Sequence, residues 1–377
     1  MREESPERLP PSVTIDLTRR TNPRLSGRLV GARQVAMPYV TMTRLALAQL
    51  VASRRARVGA LVLGCIALTA IFSDFLASDL PLLCRWNATT YVLPNIVRPA
   101  ALSQLSCARM RELRKAGDWM VSPLVAFGPT EKDADADVLL PPCRRGHPLG
   151  TDAFGRDVFA RVVHGSRTAL GIGVAASVVL VTLGIALGAL AGFAGGLVDG
   201  LVARTIEALT SIPTILLVLV VGALVPRPST ATLLWTIALT RWTELARIVR
   251  VEVLQVLGRD YVTAARALGS SALRILLRHI MPNAIAPAIV AMVFGVASVV
   301  LVEAAVDFLR VGSPDTVASW GEAMGEARAH AGAWWLIAFP GLALLTTLIA
   351  CILVGEAARD AIDPKLREHA FAEDEKL

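Results

Sequence analysis

The chain has 377 residues, of which 54% are hydrophobic and 18% are charged, with a formal net charge of +7 and a mean hydropathy of +0.56. Because a soluble domain carries about 25% charged residues, this composition excludes an ordinary soluble protein, and it also excludes a disordered chain and a disulfide scaffold. A positive net charge raises nucleic acid as a partner, but the location of the charge argues against one.

Residues 1–57 are predicted to form a flexible basic cytoplasmic tail whose last part is a helix leading into the first apolar run. They hold eleven arginines against four acidic residues, whereas the remaining 320 residues carry 27 basic and 27 acidic side chains. The whole excess therefore lies ahead of the first apolar run and indicates the orientation of the chain in a membrane, and we expect no nucleic-acid partner. No secretory signal is recognised, because that run begins only at Val58.

Apolar stretches long enough to cross a lipid bilayer recur along the chain, since about 20 apolar residues are needed to span the hydrocarbon. The sequence predicts an all-α polytopic membrane protein with six transmembrane helices. The fourth is short and contains Arg241 and Glu244, and by itself it is equally consistent with a buried or interfacial helix. In chain order the six are 58–77, 168–194, 205–226, 229–247, 284–305 and 332–355.

The orientation follows from the positive residues, which are retained on the cytoplasmic side of short loops. Arginines precede the first span and seven lie between Arg241 and Pro282, whereas residues 307–330 contain two. The two arginine-rich segments share the cytoplasmic side only if four spans lie between them. The short fourth stretch is therefore predicted to cross the membrane. The C-terminal tail, residues 356–377, then also lies in the cytoplasm.

The predicted extracytoplasmic loop, residues 78–146, is an insertion that contains Cys84, Cys107 and Cys143. This odd number permits one disulfide and one free thiol in an oxidising compartment, and the sequence does not determine which pair would form. Residues 147–167 follow the insertion and precede the second span.

The sequence contains no recognised catalytic pattern. It lacks a nucleotide-binding G-x-x-x-x-G-K-[ST] loop, H-E-x-x-H, G-x-S-x-G and Cys-x-x-Cys, and its five histidines have no metal-ligand spacing. We therefore expect a protein that is not an enzyme and that binds no cofactor or metal of its own.

The cytoplasmic segment 250–283 carries the most informative pattern. A helix is predicted to run to Leu268 and to end at Gly269, which supplies the left-handed residue of a helix C-terminus. One of the two following serines then caps a second helix, which Pro282 is expected to terminate. The pair is either amphipathic and lies on the lipid, with its arginines facing headgroups, or it is a docking knob for a cytoplasmic protein.

This segment resembles the EAA loop of ABC-transporter permeases, in which E-A-A is followed by three residues, Gly, nine residues and I-x-L-P. Here the order is Thr263-Ala264-Ala265, three residues, Gly269, nine residues, and His279-Ile280-Met281-Pro282. Thr263 stands where the family usually has Glu, which removes a charge from the implied interface. The resemblance implies ATPase-coupling roles for Tyr261, Thr263, Ala264, Ala265, Arg266, Leu268 and Gly269.

Three further stretches resemble the dipeptide, oligopeptide and nickel branch of that family. The outer-face motif, His147-Pro-Leu-Gly-Thr-Asp-Ala-Phe-Gly-Arg-Asp157, is similar to H-P-L-G-T-D-x-x-G-R-D. Its site candidates are His147, Gly150, Thr151, Asp152, Gly155, Arg156 and Asp157. They form either a locally bonded tight turn, or part of the outer gate or of the seat for a binding protein.

The other two stretches complete four motifs in family order between His147 and Arg367. They are Glu303–Gly312 with Pro314 and Ser319-Trp320-Gly321, and the terminus Arg359-Asp-Ala-Ile-Asp-Pro-Lys365. Asp307 and Arg310 replace a family Ser and Gly and are spaced to pair across one helical turn. We interpret this pair as a solvated surface feature in preference to a substrate contact.

The spans themselves contain few ionisable groups, with Glu303 placed at an outer edge. This argues against an ion-coupled secondary transporter, which usually needs intramembrane ionisable residues. The second apolar stretch contains six glycines whose positions resemble small-x-x-x-small spacing, which favours close helix contact over a pore lining: Gly171, Gly173, Gly184, Gly188, Gly192 and Gly195. Gly184, Gly188 and Gly192 lie four residues apart.

By resemblance, residues 165–366 form a type I ABC importer-like permease domain in the bacterial cytoplasmic (inner) membrane, with both termini in the cytoplasm. The implied partners are a second homologous permease, two cytoplasmic ATPase subunits that bind ATP and Mg, an extracytoplasmic substrate-binding protein and the lipid bilayer. The expected cargo is a di- or oligopeptide, with nickel, glutathione or opines as alternatives. The rival classes are an ion-coupled secondary transporter and a membrane-anchored structural or sensory protein, and copurification with ATPase subunits separates them from the importer.

Overall fold

The computed structural model describes residues 49–132, 138–225, 229–309 and 317–362. Most of these residues are helical. The α-helices are α1 Arg54–Ile71, α2 Ser73–Leu76, α3 Pro94–Val97, α4 Cys107–Glu112, α5 Val158–Ala194, α6 Gly196–Thr210, α7 Thr214–Leu224, α8 Thr230–Leu257, α9 Asp260–Ala267, α10 Ala272–Ile275, α11 Met281–Phe308, α12 Trp320–Glu326 and α13 Trp335–Ile362. The strands are β1 Leu83–Trp86, β2 Thr89–Val92 and β3 Trp119–Val121.

Three helices are long and apolar enough to cross a membrane: α5, the Pro287–Phe308 part of α11, and α13. The pair α6 and α7 meets the same criterion only when taken together. The described residues therefore provide three such helices, or four if the pair is one span. The predicted total of six stays a prediction, because α1 begins with three arginines and α8 carries several charged residues.

The predicted third span, 205–226, is not one straight helix. α6 ends at Thr210, α7 begins at Thr214, and their axes are bent by 80°. Pro213 precedes α7 in an extended conformation. Proline lacks a backbone N–H and disfavours helical geometry in the residue before it, so it ends the first helix even inside an apolar run.

α5 is the central helix and packs closely against α8 through its glycines. A Cβ added to Gly188 would lie 2.5 Å from the Ala246 carbonyl oxygen, and one added to Gly184 would lie 2.8 Å from the Leu245 Cβ. Gly192 approaches the Arg250 carbonyl oxygen in the same way. The predicted helix-contact role of these three glycines is confirmed, as is that of Gly173, which approaches Val300. The same prediction is wrong for Gly171 and Gly195, which have open space around them.

α1 is joined to this bundle along its length and at its end. Gly59 packs against α13, where an added Cβ would lie 2.8 Å from the Ala350 carbonyl oxygen. At the other end, the Arg167 guanidinium of α5 donates to the Ala70 carbonyl at 3.0 Å and to the Asp74 carboxylate at 2.8 Å. These bonds satisfy carbonyl groups that a helix C-terminus otherwise leaves without partners.

The insertion between α1 and α5 contains a small folded unit. Its antiparallel sheet has the order β2-β1-β3, with Cys84 opposite Tyr91 and Met120. Since side chains alternate across a strand, Cys84 lies on the sheet face that packs into a core with Leu80, Leu102 and Met110. The loop predicted at 78–146 is thus partly an ordered layer of sheet and short helices.

All five cysteines are free thiols in the structure. Cys84 and Cys107 are buried and Cys143 is exposed, so the disulfide that the sequence permits is not present. Burial raises the pKa of the Cys107 thiol to about 12. Because the thiolate is the reactive form, this cysteine is unreactive in the folded chain.

Candidate functional site

The segment that resembles the EAA loop folds into a helical knob, which we define as residues 260–280. α9 ends where predicted: Gly269 has φ +81, its N–H donates to the Arg266 carbonyl, and the Ser270 N–H donates to the Ala265 carbonyl. These bonds satisfy the last carbonyls of the helix, as a glycine C-terminus does. Ser271 then caps α10, its hydroxyl accepting from the Arg274 N–H at 3.4 Å.

The expected termination at Pro282 is wrong. α10 passes into a π-helical segment, Leu276–Ile280, and continues as α11, with Pro282 in the first turn of α11. Pro282 lies two residues after the end of the π-helical segment, where the regular i→i−4 hydrogen-bond pattern of the helix is interrupted. The knob is therefore joined directly to the long helix that follows it.

The knob buries one face and exposes another. Val262 is fully buried and packs in one cluster with Ile275 and Ile280, while the Asn283 amide donates to the Tyr261 hydroxyl at 3.4 Å and to the His279 carbonyl at 2.7 Å. Six of the seven coupling candidates are exposed and only Ala265 is half-buried: the exposed ones are Tyr261, Thr263, Ala264, Arg266, Leu268 and Gly269.

Three leucines dominate the exposed surface of the knob. Leu268 is 87% exposed, and Leu273 and Leu277 are also mostly exposed. A free apolar surface of this kind marks a contact with another protein or with lipid. The seven predicted coupling residues are thus brought onto one small element, which is available to a partner.

A charge pair near the knob was not anticipated from the sequence. Arg250 of α8 binds Asp199 of α6 with both guanidinium arms, at 2.5 and 2.7 Å. The bidentate geometry is the strong form of this interaction. It connects the helix that carries the knob to the first half of the bent pair.

The outer-face motif contains the local bonds of a tight turn. The Asp152 carboxylate accepts from the backbone N–H groups of Phe154 and Arg156 at 2.8 and 2.9 Å. Gly150 and Gly155 both have positive φ, and a Cβ on Gly150 would lie 2.5 Å from the Leu140 carbonyl oxygen. Glycine is required at such a position by both conformation and space.

The side chains of His147 and Asp157 form a further contact within the motif. Their side chains are fully buried, with the His147 Nδ1 and an Asp157 carboxylate oxygen 2.7 Å apart. The other Asp157 oxygen accepts from the Ala160 N–H at 2.7 Å, so Asp157 caps the N-terminus of α5. An acidic residue is favourable at this end of a helix.

The motif also reaches a distant part of the chain through a buried outer ion cluster. The Arg156 guanidinium binds Asp152 at 2.6 Å and Glu326 at 2.5 Å, and Arg161 binds Glu322 at 3.0 Å. All five side chains, Asp152, Arg156, Arg161, Glu322 and Glu326, are less than a tenth exposed. Sequence reasoning missed Arg161, Glu322 and Glu326, whose only signal was charge beside an apolar helix.

The balance of this cluster is acidic, since three carboxyl groups face two guanidinium groups. Burial raises the pKa of the Glu326 carboxyl above its ordinary value; the charge of Asp152 raises it further, against the lowering effect of Arg161 and Arg156. Buried charges of this kind require their partners, because removing one leaves the other without compensation.

Two tryptophans complete the connection between the motif and α12. The Trp320 indole N–H donates to the Val162 carbonyl at 2.9 Å, and the Trp320 ring packs on Gly165. The Trp335 indole N–H donates to the Thr151 carbonyl at 3.0 Å. The motif, the start of α5, α12 and the start of α13 therefore form one packed unit.

Glu303 lies next to this unit and is fully buried. The Ser319 hydroxyl donates to its carboxylate at 3.1 Å, and Asp307, one helical turn further, is also buried and interacts with it. The interpretation of Asp307 as part of a solvated surface feature is therefore wrong, because its side chain packs inside the bundle. Arg310, the predicted partner of Asp307, lies outside the described residues, as do Gly312, Pro314 and the end of the C-terminal motif. Among the described residues, no group of three or more His, Cys, Asp or Glu side chains is arranged to hold a metal.

Comparison with known proteins agrees with the motifs. Residues 184–368 match the family described as binding-protein-dependent transport system inner membrane component. A dipeptide transport system permease protein DppC from Haemophilus influenzae is 35% identical over 256 residues, which cover 66% of this chain and 86% of the relative. A putative peptide transport system permease protein from Brucella suis is 40% identical over 59% of this chain and 74% of its own length. The oligopeptide transport system permease protein OppC of Bacillus subtilis is 35% identical over 60% of this chain and 74% of its own length.

The apolar helices and the ordered motifs define a multi-pass permease of the ABC-transporter class. The chain belongs to the family of binding-protein-dependent transport inner membrane components, and within it to the DppC/OppC-like permeases. The predicted family is thereby confirmed.

Proposed function

We propose that this chain is one of two homologous permease subunits of an importer that carries di- or oligopeptides across the bacterial cytoplasmic membrane. The cargo is proposed from the relatives, which are described as dipeptide, oligopeptide and peptide permeases. ATP and Mg bind to two separate ATPase subunits in the cytoplasm, and a binding protein delivers the peptide from outside. The single observation that carries the coupling proposal is the exposed leucine surface of the helical knob.

The membrane arrangement that we propose has six spans and both termini in the cytoplasm. α5, α11 and α13 supply three spans, and the bent pair α6 and α7 supplies one. α1 and α8 are assigned as the other two, because arginine-rich ends on the cytoplasmic side are compatible with insertion. This arrangement places the helical knob in the cytoplasm and the outer-face motif outside.

The helical knob is proposed to insert into a groove on one ATPase subunit. Val262 holds α9 against the membrane domain, whereas Leu268, Leu273 and Leu277 face outward. Closure of the ATPase dimer would move the knob and, through α8 and α11, convert the spans from inward-open to outward-open. Since Thr263 carries no charge, the contact depends on apolar burial more than on ion pairing.

Copurification tests this contact directly. Leu268→Gln should reduce recovery of the ATPase subunits with the tagged membrane complex, because the side chain is 87% exposed and contributes little to folding. Leu197→Gln is the matched control: Leu197 is 94% exposed at the start of α6, which has no role in the proposed contact. Equal ATPase recovery with both variants would contradict the docking proposal.

The outer ion cluster is proposed to maintain the outer gate and not to contact the binding protein. Its side chains are buried in this conformation and connect α5 to α12. Asp152→Asn should therefore lower transport and thermal stability together while leaving binding-protein docking intact. Loss of docking with unchanged stability would instead assign the motif to the binding-protein seat.

A further inference from the structure

The inserted unit is hydrogen-bonded to α2, the short helix that directly follows α1. The Asn95 amide of α3 donates to the Asp74 carbonyl at 2.9 Å, and Arg98, just after α3, binds Asp79 at 2.9 Å. On another side, the Val125 N–H donates to the Leu76 carbonyl at 2.9 Å. Two separate segments of the unit are thus held beside the point where α1 ends.

Both segments present large apolar side chains that the unit itself does not cover. In α3, Pro94 and Asn95 are buried while Ile96 and Val97 are 51% and 72% exposed. Leu124, next to Val125, is 76% exposed. Ile71, the last residue of α1, and Phe72, which follows it, are also exposed. Exposed apolar side chains therefore occur both at the end of α1 and on the two segments that are bonded to the residues directly after it.

Two arginines lie close to these apolar residues, since Arg98 directly follows Val97 and Arg167 donates to the Ile71 carbonyl at 3.3 Å. Arg98 binds Asp79 and Arg167 binds Asp74, and about half of each side chain remains exposed. Apolar side chains bordered by half-exposed cations are typical of elements that lie in the interface of a bilayer, with the apolar part below the headgroups and the cations among them.

We propose that Ile96, Val97 and Leu124 form an interfacial anchor, which inserts into the bilayer surface beside the end of α1 and holds the inserted unit against the lipid. The occupant is lipid because both segments are bonded to Asp74 and Leu76, which directly follow a helix assigned as a span. This inference rests on that proposed assignment of α1. The anchor would fix the height and tilt of the unit above the membrane.

Site-directed spin labelling of the full importer in liposomes tests the anchor. The two exposed native cysteines, Cys65 and Cys143, are replaced by serine, and one nitroxide is attached at Val97→Cys. A second sample carries it at Leu61→Cys in α1, and a third at Ala88→Cys in the turn between β1 and β2. Collision rates with oxygen, which concentrates in lipid, are compared with those of a water-soluble nickel chelate.

The label at position 97 should collide more with oxygen than with the chelate, and the label at position 88 should show the reverse. A label at position 97 that behaves like the one at 88, while the label at 61 reports lipid, would overturn the anchor and leave the span assignment standing. Aqueous behaviour at position 61 would overturn the span assignment itself. Protection of position 97 from both reagents would show a protein occupant and would also overturn the anchor.

Discussion

Gly269 ends α9 in the left-handed region, and no other atom lies within 4 Å of a Cβ built there. A substitution is therefore opposed by the backbone, at about 1–2 kcal/mol, and not by packing. Gly269→Asp should change the shape of the knob and strongly reduce peptide uptake, while the protein remains in the membrane at a normal level. Uptake in cells and immunodetection of the membrane fraction measure the two effects.

The matched control is Gly258→Asp at the other end of α9. Gly258 has φ −82 and ordinary space around it, so an aspartate there adds the same charge without backbone strain. Normal uptake by the Gly269 variant, or equal loss in both variants, would contradict the proposed importance of the turn.

Gly188 provides a test of the close contact between α5 and α8. Gly188→Ala places a methyl group 2.5 Å from the Ala246 carbonyl oxygen, so α5 and α8 must move apart. Overpacking of this kind costs about 1–3 kcal/mol, and the midpoint of thermal unfolding in detergent should fall. Gly171→Ala, in the same helix with open space around it, should leave the midpoint unchanged; a similar fall in both would argue against the close contact.

At the scale of elements, the outer ion cluster gives α5 and α12 a pH-dependent connection. Because the pKa of Glu326 is raised in the folded chain, the unfolded chain releases this proton at lower pH than the folded chain does. The stability contributed by protonated Glu326 is therefore present below its unfolded pKa and is lost as the pH rises towards its folded pKa.

Glu326→Gln removes this titration and keeps an oxygen that accepts from Arg156. The decline of the unfolding temperature with rising pH, measured by thermal scans in detergent, should be smaller in this variant than in the parent. Glu207→Gln, which affects an exposed pair with Arg204, serves as the control. If the unfolding temperature of the Glu326 variant changed with pH as it does in the parent, the assignment of this pH dependence to Glu326 would be refuted.

The pair of Asp199 and Arg250 connects two elements that the proposed cycle must move together. Asp199→Asn weakens the bond between α6 and the knob-bearing α8, so ATP hydrolysis should continue while less peptide is moved per ATP. The ratio of uptake to phosphate release in proteoliposomes measures this. Glu207→Gln, on the same helix, should keep the parent ratio, and an unchanged ratio in the Asp199 variant would exclude a transmitting role.

Features that depend on neighbouring residues were predictable from the sequence. The left-handed Gly269, the serine cap of α10 and the spaced glycines of α5 each follow from a few adjacent positions. The break at Pro213 carried a local signal too, but the apolar run around it favoured a continuous span. The role of Pro282 was misjudged because a first helical turn and a helix end accept proline equally well.

Features that join distant segments were not predictable. Arg156 and Glu326 are 170 positions apart, and no local pattern indicates their contact. The sheet of the inserted unit was missed for a related reason, since its strands have three or four residues and alternate too briefly to give a clear period.

In the whole molecule, we propose that the two ends of the permease have different tasks. The outer end is a packed unit of motif, α12 and tryptophans, while the inner end presents a small helical knob to a partner. A central α5, closely packed on α8, connects them. In the proposed cycle, energy from ATP would reach the outer gate through movement of the helices that carry the knob.

The most direct test is peptide uptake into proteoliposomes that contain this chain, the second permease and the two ATPase subunits, with the binding protein on the outside. Uptake should require ATP inside and the binding protein outside, and Leu268→Gln should reduce it without lowering the amount of the two permease chains in the membrane. Uptake driven by an ion gradient without ATP, or undiminished in the absence of this chain, would contradict the account.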